Sequence, residues 1–357
     1  MAATPRFFFV ELTRRCPLQC LHCYYWRRGD SPLRMPQERL EDLLEEYAEL
    51  APGAAVVICG GEAMTDPQYL PTCRKARSLG LRVLSVTSGV TITTPAIAEQ
   101  VLREGPHEIT VSLDAPRADL HDAHRGRREA FLRACRALKV LSEVRDQIGQ
   151  GRVYCMGLVT AETAPMLEEW HELVFSLGAT KLKLNLLQPT FGFGMLDENW
   201  TMLNLEDQAK EFERLLASES SGDQHFAQYA VTDYPALEAV LRRCDERWGI
   251  RRNPEFLRSV RLYCEGAAQH RAFGDLHRGW LIQDFTTEPI CNSGERNIMV
   301  TQDGIARLCF MLPAGRLLER RGDLRRFWEE ESRLTLTGCC RPCGISHSVR
   351  EKSATLP

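Results

Sequence analysis

The chain has 357 residues, 44% hydrophobic and 26% charged, with a net charge of −3. That length allows two or perhaps three domains with a sizeable core, and the charge balance leaves no footprint for nucleic acid. The longest apolar run near the start, Phe7 to Val10, is too short for a signal peptide or a membrane span. The chain is therefore expected in the cytoplasm, where its 14 cysteines stay reduced and serve as metal ligands and core residues.

In chain order, Phe7–Leu12 reads as a strand and a cysteine-rich segment follows it directly. Glu38–Leu50 has helical periodicity, Ala54–Cys59 is a buried strand, Gln68–Leu79 is a helix stopped by Gly80, and Leu81–Thr87 is a strand. A helix over Pro95–Arg103 opens with proline in its first turn. Strand Glu108–Leu113, helix Arg128–Val144, strand Val153–Val159, helix Met166–Leu177 and strand Lys181–Leu186 complete the alternation. Six strands alternating with helices predict an α/β fold with a parallel sheet and right-handed crossovers, short of a closed eight-stranded barrel. Function is then expected at the C-terminal strand ends.

From Phe191 to about Gly279 the alternation stops, and helices are predicted at Asn204–Ser218, Tyr234–Trp248 and Pro254–Ala268. The arginines at 242, 243, 247, 251 and 252 read as a solvated helix face. Asn297–Thr301 and Ala306–Phe310 predict a hairpin around Gln302-Asp303-Gly304.

Cys16, Cys20 and Cys23 place three thiols within eight residues just after the first strand. Thiolates are soft donors, and three is one short of a full iron–sulfur ligand set. A structural zinc site with His22 as fourth ligand is the alternative. The spacing Cys-x3-Cys-x2-Cys, with aromatic His22 before the third Cys, resembles the radical S-adenosylmethionine (radical SAM) enzymes. The resemblance implies a 4Fe–4S cluster whose open iron binds SAM, with Tyr24 beside the last cysteine. It also implies a 5′-deoxyadenosyl radical and a flavodoxin- or ferredoxin-type reductant. The fold it implies is a partial (β/α)6 TIM-like barrel over residues 1–190.

Further segments resemble the same family in order. Gly60-Gly61-Glu62 ends the second strand, with Ala63 where the family usually has Pro; Glu62 is expected to bind the SAM ammonium. Thr87-Ser88-Gly89 ends the third strand and Ser112-Leu113-Asp114 the fourth, which makes Ser88, Ser112 and Asp114 cofactor-binding candidates. Arg125, in His121-Asp-Ala-His124-Arg125-Gly126, is expected to pair with the SAM carboxylate, because a guanidinium fork suits a carboxylate.

A second set, Cys291, Cys309, Cys340 and Cys343, resembles the twitch domain, a short form of the SPASM extension that carries an auxiliary 4Fe–4S cluster. Cys339 could replace Cys340, and a zinc ribbon is the alternative. Two clusters are expected in all. The domain reading is a radical SAM partial barrel at 1–190, a helical linker or substrate region at 191–280, and a twitch-type hairpin plus helix at 281–357. Aminoglycoside-pathway dehydrogenases and epimerases are similar in the single auxiliary cluster. They imply a small polar substrate, an amino sugar or cyclitol, oxidised by two electrons during natural-product biosynthesis. Epimerisation, with Cys264 as hydrogen donor, is one alternative. Crosslinking of a ribosomally made peptide is another, and a metal-binding module without catalysis is the non-enzyme reading.

Overall fold

The computed structural model describes residues 4–23, 26, 33–186, 229–252, 254–269, 296–308 and 315–331. The predicted helix at Asn204–Ser218 lies outside them, as do Tyr24, Cys291, Cys309, Cys339, Cys340 and Cys343.

The strands are β1 (Phe7–Thr13), β2 (Ala55–Gly60), β3 (Arg82–Thr87), β4 (Glu108–Ser112), β5 (Arg152–Val159), β6 (Leu182–Leu186), β7 (Asn297–Val300), β8 (Ile305–Arg307) and β9 (Arg316–Leu317). The helices are α1 (Gln37–Leu50), α2 (Tyr69–Ser78), α3 (Pro95–Glu104), α4 (Ala118–Arg125), α5 (Ala130–Ile148), α6 (Leu167–Ser176), α7 (Tyr234–Trp248), α8 (Pro254–Gln269) and α9 (Asp323–Glu331). Among the described residues they form a nine-stranded sheet in the order β6-β5-β4-β3-β2-β1-β7-β8-β9. Strands β1 to β6 are mutually parallel and each lies beside its predecessor in the chain. Every crossover therefore advances in one direction, and the alternation legible in the sequence becomes an α/β fold.

Local chemistry sets the helix ends. Thr94 caps α3 by accepting the Ile97 N–H at 3.3 Å, and Pro95 fills the first turn. Asp233 caps α7 the same way through the Ala236 N–H at 2.9 Å, and Gly249 closes it at φ +62°.

One face of the sheet packs on helices. Phe8, Val10, Val56 and Ile58 join α1, α2 and α9 residues in one core, with the Phe8 and Tyr47 rings 4.8 Å apart. Ile109, Val111, Val153, Leu182 and Leu184 join α5 to α8 in a second. Fully buried Trp170 packs so closely on β5 that a Cβ at Gly157 would stand 2.0 Å from its ring. Among the described residues the opposite face carries a small apolar cluster of Phe9, Val57 and Met299.

Two features were not read from the sequence. Helix α4 spans the segment that carries Arg125. Strand β7 lies parallel to β1, pairing Phe7 with Asn297 and Val10 with Val300, so the hairpin extends the main sheet. The arginine-rich face of α7 is tied to α6 by Arg243–Glu168 (2.6 Å) and Arg247–Glu172 (3.2 Å) ion pairs at the surface.

Candidate active site

The cysteine loop leaves β1 at the C-terminal edge of the sheet. Its course is set by two close backbone approaches. After β2, the Gly61 N–H donates to Thr13 O at 2.7 Å and the Glu62 N–H to Arg15 O at 2.8 Å. A Cβ on Gly61 would stand 2.2 Å from Arg15 O, which no side chain tolerates. At the end of α4, Gly126 takes φ +61°, and a Cβ there would meet Gln19 O at 2.3 Å. The Gln19 and Leu21 N–H groups donate to the carbonyls of Arg125 (3.2 Å) and His124 (2.9 Å). The loop is thus gripped from β2 on one side and α4 on the other.

Cys16, Cys20 and Cys23 share one small apolar cluster with Leu18, Ala130 and Val90, and none is in a disulfide. Among the described residues no three His, Cys, Asp or Glu side chains converge on a single ion. A four-iron cluster does not need that, since each thiolate binds its own iron. Three soft donors in one apolar setting fit such a cluster. Burial pushes the Cys16 thiol up to about 11 and raises Cys20 as well, while the Arg125 guanidinium pulls Cys20 back. Both are protonated without metal, so loading a metal must release protons.

Arg125 is held by Asp114. Its Nη2 donates to Asp114 Oδ1 at 2.8 Å, Nε lies 2.6 Å from Oδ2, and Nη1 lies 3.7 Å from Cys20 Sγ. Burial alone would raise the Asp114 carboxyl, but Arg125 and the neighbouring histidines outweigh it and hold it at about 2. Asp114 also accepts the Leu158 N–H at 3.1 Å, and its own N–H donates to His121 Nδ1 at 2.9 Å. Burial, with Arg125 nearby, drives the His121 imidazole down to about 4.

Glu62 is 2% exposed and accepts three hydrogen bonds: from Thr87 Oγ1 (2.7 Å), from the Ser88 N–H (2.7 Å) and from Ser88 Oγ. The motifs at the ends of β2 and β3 are therefore locked to each other. A carboxylate offers about four lone-pair positions, so one remains.

The fold brings Gly60, Gly61, Glu62, Ser88, Ser112, Asp114 and Arg125 to the edge that carries the cysteine loop. It does not bring Cys264 there. That residue is fully buried in the helix-side core on α8, and burial raises its thiol to about 12. The glycines of the Gly60-Gly61 pair abut the backbone of residues 13–15. Thr87, His121 and Arg14 were not selected from sequence, although the first two lie inside quoted motifs. Arg14 ties β1 to the hairpin turn: its N–H donates to Gln302 Oε1 at 2.6 Å and its Nη2 to Asp303 at 3.0 Å.

Residues 10–174 match the Radical SAM superfamily. This stretch is a radical SAM domain. AdoMet-dependent heme synthase of Methanosarcina barkeri is 31% identical over 53% of this chain and 53% of that protein. PqqA peptide cyclase of Gluconobacter oxydans is 27% identical over 70% of this chain and 67% of that one. The chain spans about half the length of the first curated relatives it matches. Among solved structures, Streptococcus suis SuiB bound to S-adenosylmethionine aligns with a TM-score of 0.57 at 13% identity, covering 86% of this chain and 61% of SuiB. That likeness extends to the fold alone.

Proposed function

We propose that this chain is a radical SAM enzyme that modifies a peptide. The observation that carries the substrate class is the reach of one similarity. The match to PqqA peptide cyclase runs over 258 residues, 70% of this chain, whereas the heme synthase matches run over 197 and 183 residues, about half of it. The amino sugar or cyclitol expected from sequence gains no support from these relatives, and the peptide alternative replaces it. Heme synthesis is the second reading, favoured by the higher identity of 31%.

In this reading Cys16, Cys20 and Cys23 hold a 4Fe–4S cluster, and Cys291, Cys309, Cys340 and Cys343 hold an auxiliary one. Together the first cluster and SAM supply a carbon-centred radical for hydrogen-atom abstraction. The protein's own groups orient and shield. The free lone pair of Glu62 suits an ammonium, and its three donors keep the carboxylate from turning. Arg125, fixed by Asp114, places a positive charge beside Cys20. Ser88 and Ser112 offer hydroxyls at neighbouring strand ends. A flavodoxin- or ferredoxin-type protein supplies electrons, and the proposed compartment is the cytoplasm. Among the described residues no helix is long and apolar enough to cross a membrane.

The test is anaerobic incubation of reconstituted protein with SAM and dithionite, then with short peptides encoded beside its gene. Release of 5′-deoxyadenosine and a mass change in a peptide are expected. Absence of 5′-deoxyadenosine would overturn the radical reading. Its formation with every peptide unchanged, while 2-deoxy-scyllo-inosamine or a heme precursor is consumed, would overturn the peptide reading.

A further inference from the structure

At the opposite end of the strands lies a cavity of about 600 Å³ whose lining includes Arg77, Arg82, His107, Glu108, Gln150 and Arg152. Arg82, Glu108 and Arg152 are the first residues of β3, β4 and β5. Glu108 pairs in register with Arg152 and with Leu84, two residues after Arg82, so all three side chains share the helix-free face of the sheet. Arg77 comes from the last turn of α2 and is steadied by donating to Gly105 O at 3.0 Å. Three guanidinium groups therefore line one opening.

Their charge is not cancelled locally. The lining carboxylate, Glu108, is bonded to Lys183 Nζ, which is itself 4.8 Å above the Tyr154 ring. Neither Arg82 nor Arg152 has a carboxylate partner among the described residues. His107 Nδ1 accepts the Val83 N–H at 3.0 Å, so the neutral ring keeps its proton on Nε2 as one more donor. Burial and the three arginines together disfavour its protonation. Like charges gathered around a cavity repel one another and bind an anion that relieves the repulsion. Guanidinium forks match phosphate bidentately. The cavity falls in the size range of small-molecule sites rather than of a lone ion, and Leu102 adds an apolar wall.

We propose that this rim cavity is a binding site for a phosphate-bearing small molecule, separate from the cysteine-loop edge. The shared chemistry is a phosphate or diphosphate group, borne by a nucleotide or by another body. Isothermal titration of the full, reconstituted chain would use inorganic pyrophosphate and ADP as probes, with sulfate as control. At least one phosphate probe is expected to bind, and more tightly than sulfate. The double variant Arg82→Gln/Arg152→Gln is expected to bind at least about tenfold more weakly, since each charge-assisted bond is worth roughly that factor. Tighter ADP than pyrophosphate identifies a nucleotide; equal affinity identifies the phosphate head alone. No binding, binding no tighter than sulfate, or equal binding by the double variant overturns the proposal. Should the variant misfold, phenylglyoxal labelling of the wild-type chain decides. Protection of Arg82 and Arg152 by the bound probe supports the site, and labelling unchanged by the probe overturns it.

Discussion

At the C-terminal ends of the strands Glu62, Asp114 and Arg125 are 2%, 1% and 9% exposed, and each is held by named partners. At the N-terminal ends Arg82 and Arg152 stand exposed, with no carboxylate partner among the described residues. The same parallel strands thus end in two electrostatic regimes. Burying a charge is affordable only when hydrogen bonds and counter-charges replace the lost water. The cysteine-loop edge meets that condition by interlocking motifs from β2, β3, β4 and α4. Its charges are structural. Charges at the opposite rim remain solvated, so they cost the fold little and stay available to a ligand.

Removing one partner of the buried pair should give the largest effect. Asp114→Ala leaves Arg125 buried without its counter-charge, and a loss of about 3–5 kcal/mol is expected in chemical denaturation. Loss within experimental error would mean that the two edges do not differ in kind.

Acid should strike the same edge next. The folded pKa of His121 lies near 4, below the ordinary 6.5. Between those values the unfolded chain binds the extra proton, so this contribution is complete above about pH 6.5 and is lost as pH falls towards 4. It amounts to up to about 3 kcal/mol. His121→Asn keeps an acceptor for the Asp114 N–H and removes the titration. Its stability should fall less steeply over that window; identical slopes would contradict the assignment.

Gly61→Ala presses a methyl group against Arg15 O and must displace the backbone just before Cys16. A loss of about 2–3 kcal/mol is expected, together with reduced iron per chain after reconstitution. Full iron content in a destabilised variant would separate the glycine's packing role from loop placement.

The smallest effect sharpens the contrast from the other end. Arg82→Gln and Arg152→Gln should each change stability by less than about 0.5 kcal/mol, as expected for exposed side chains without strong partners. A loss of 2 kcal/mol in either, read from thermal and urea unfolding, would make the rim arginines part of the scaffold.

Much of the cysteine-loop edge was legible because its parts are short and local. Each motif sits at the end of one strand, and alternation of strands with helices places successive strand ends on one edge. The six parallel strands appeared within about a residue or two of their predicted bounds. Cys264 went astray because helix position in sequence does not say which way α8 turns its thiol. The fold turned it into the core.

From the sequence alone came the α/β alternation, the soft-donor triad and the glycine pair before Glu62. Only the tertiary structure decided what those glycines approach, that Asp114 and Arg125 hold each other, and that β7 pairs with β1 nearly three hundred residues away. It also gathered Arg77, Arg82 and Arg152, scattered singly along the chain, around one cavity. Local motifs are written in neighbouring residues. Pairings across the sheet depend on register and crossover direction, which no short window of sequence contains.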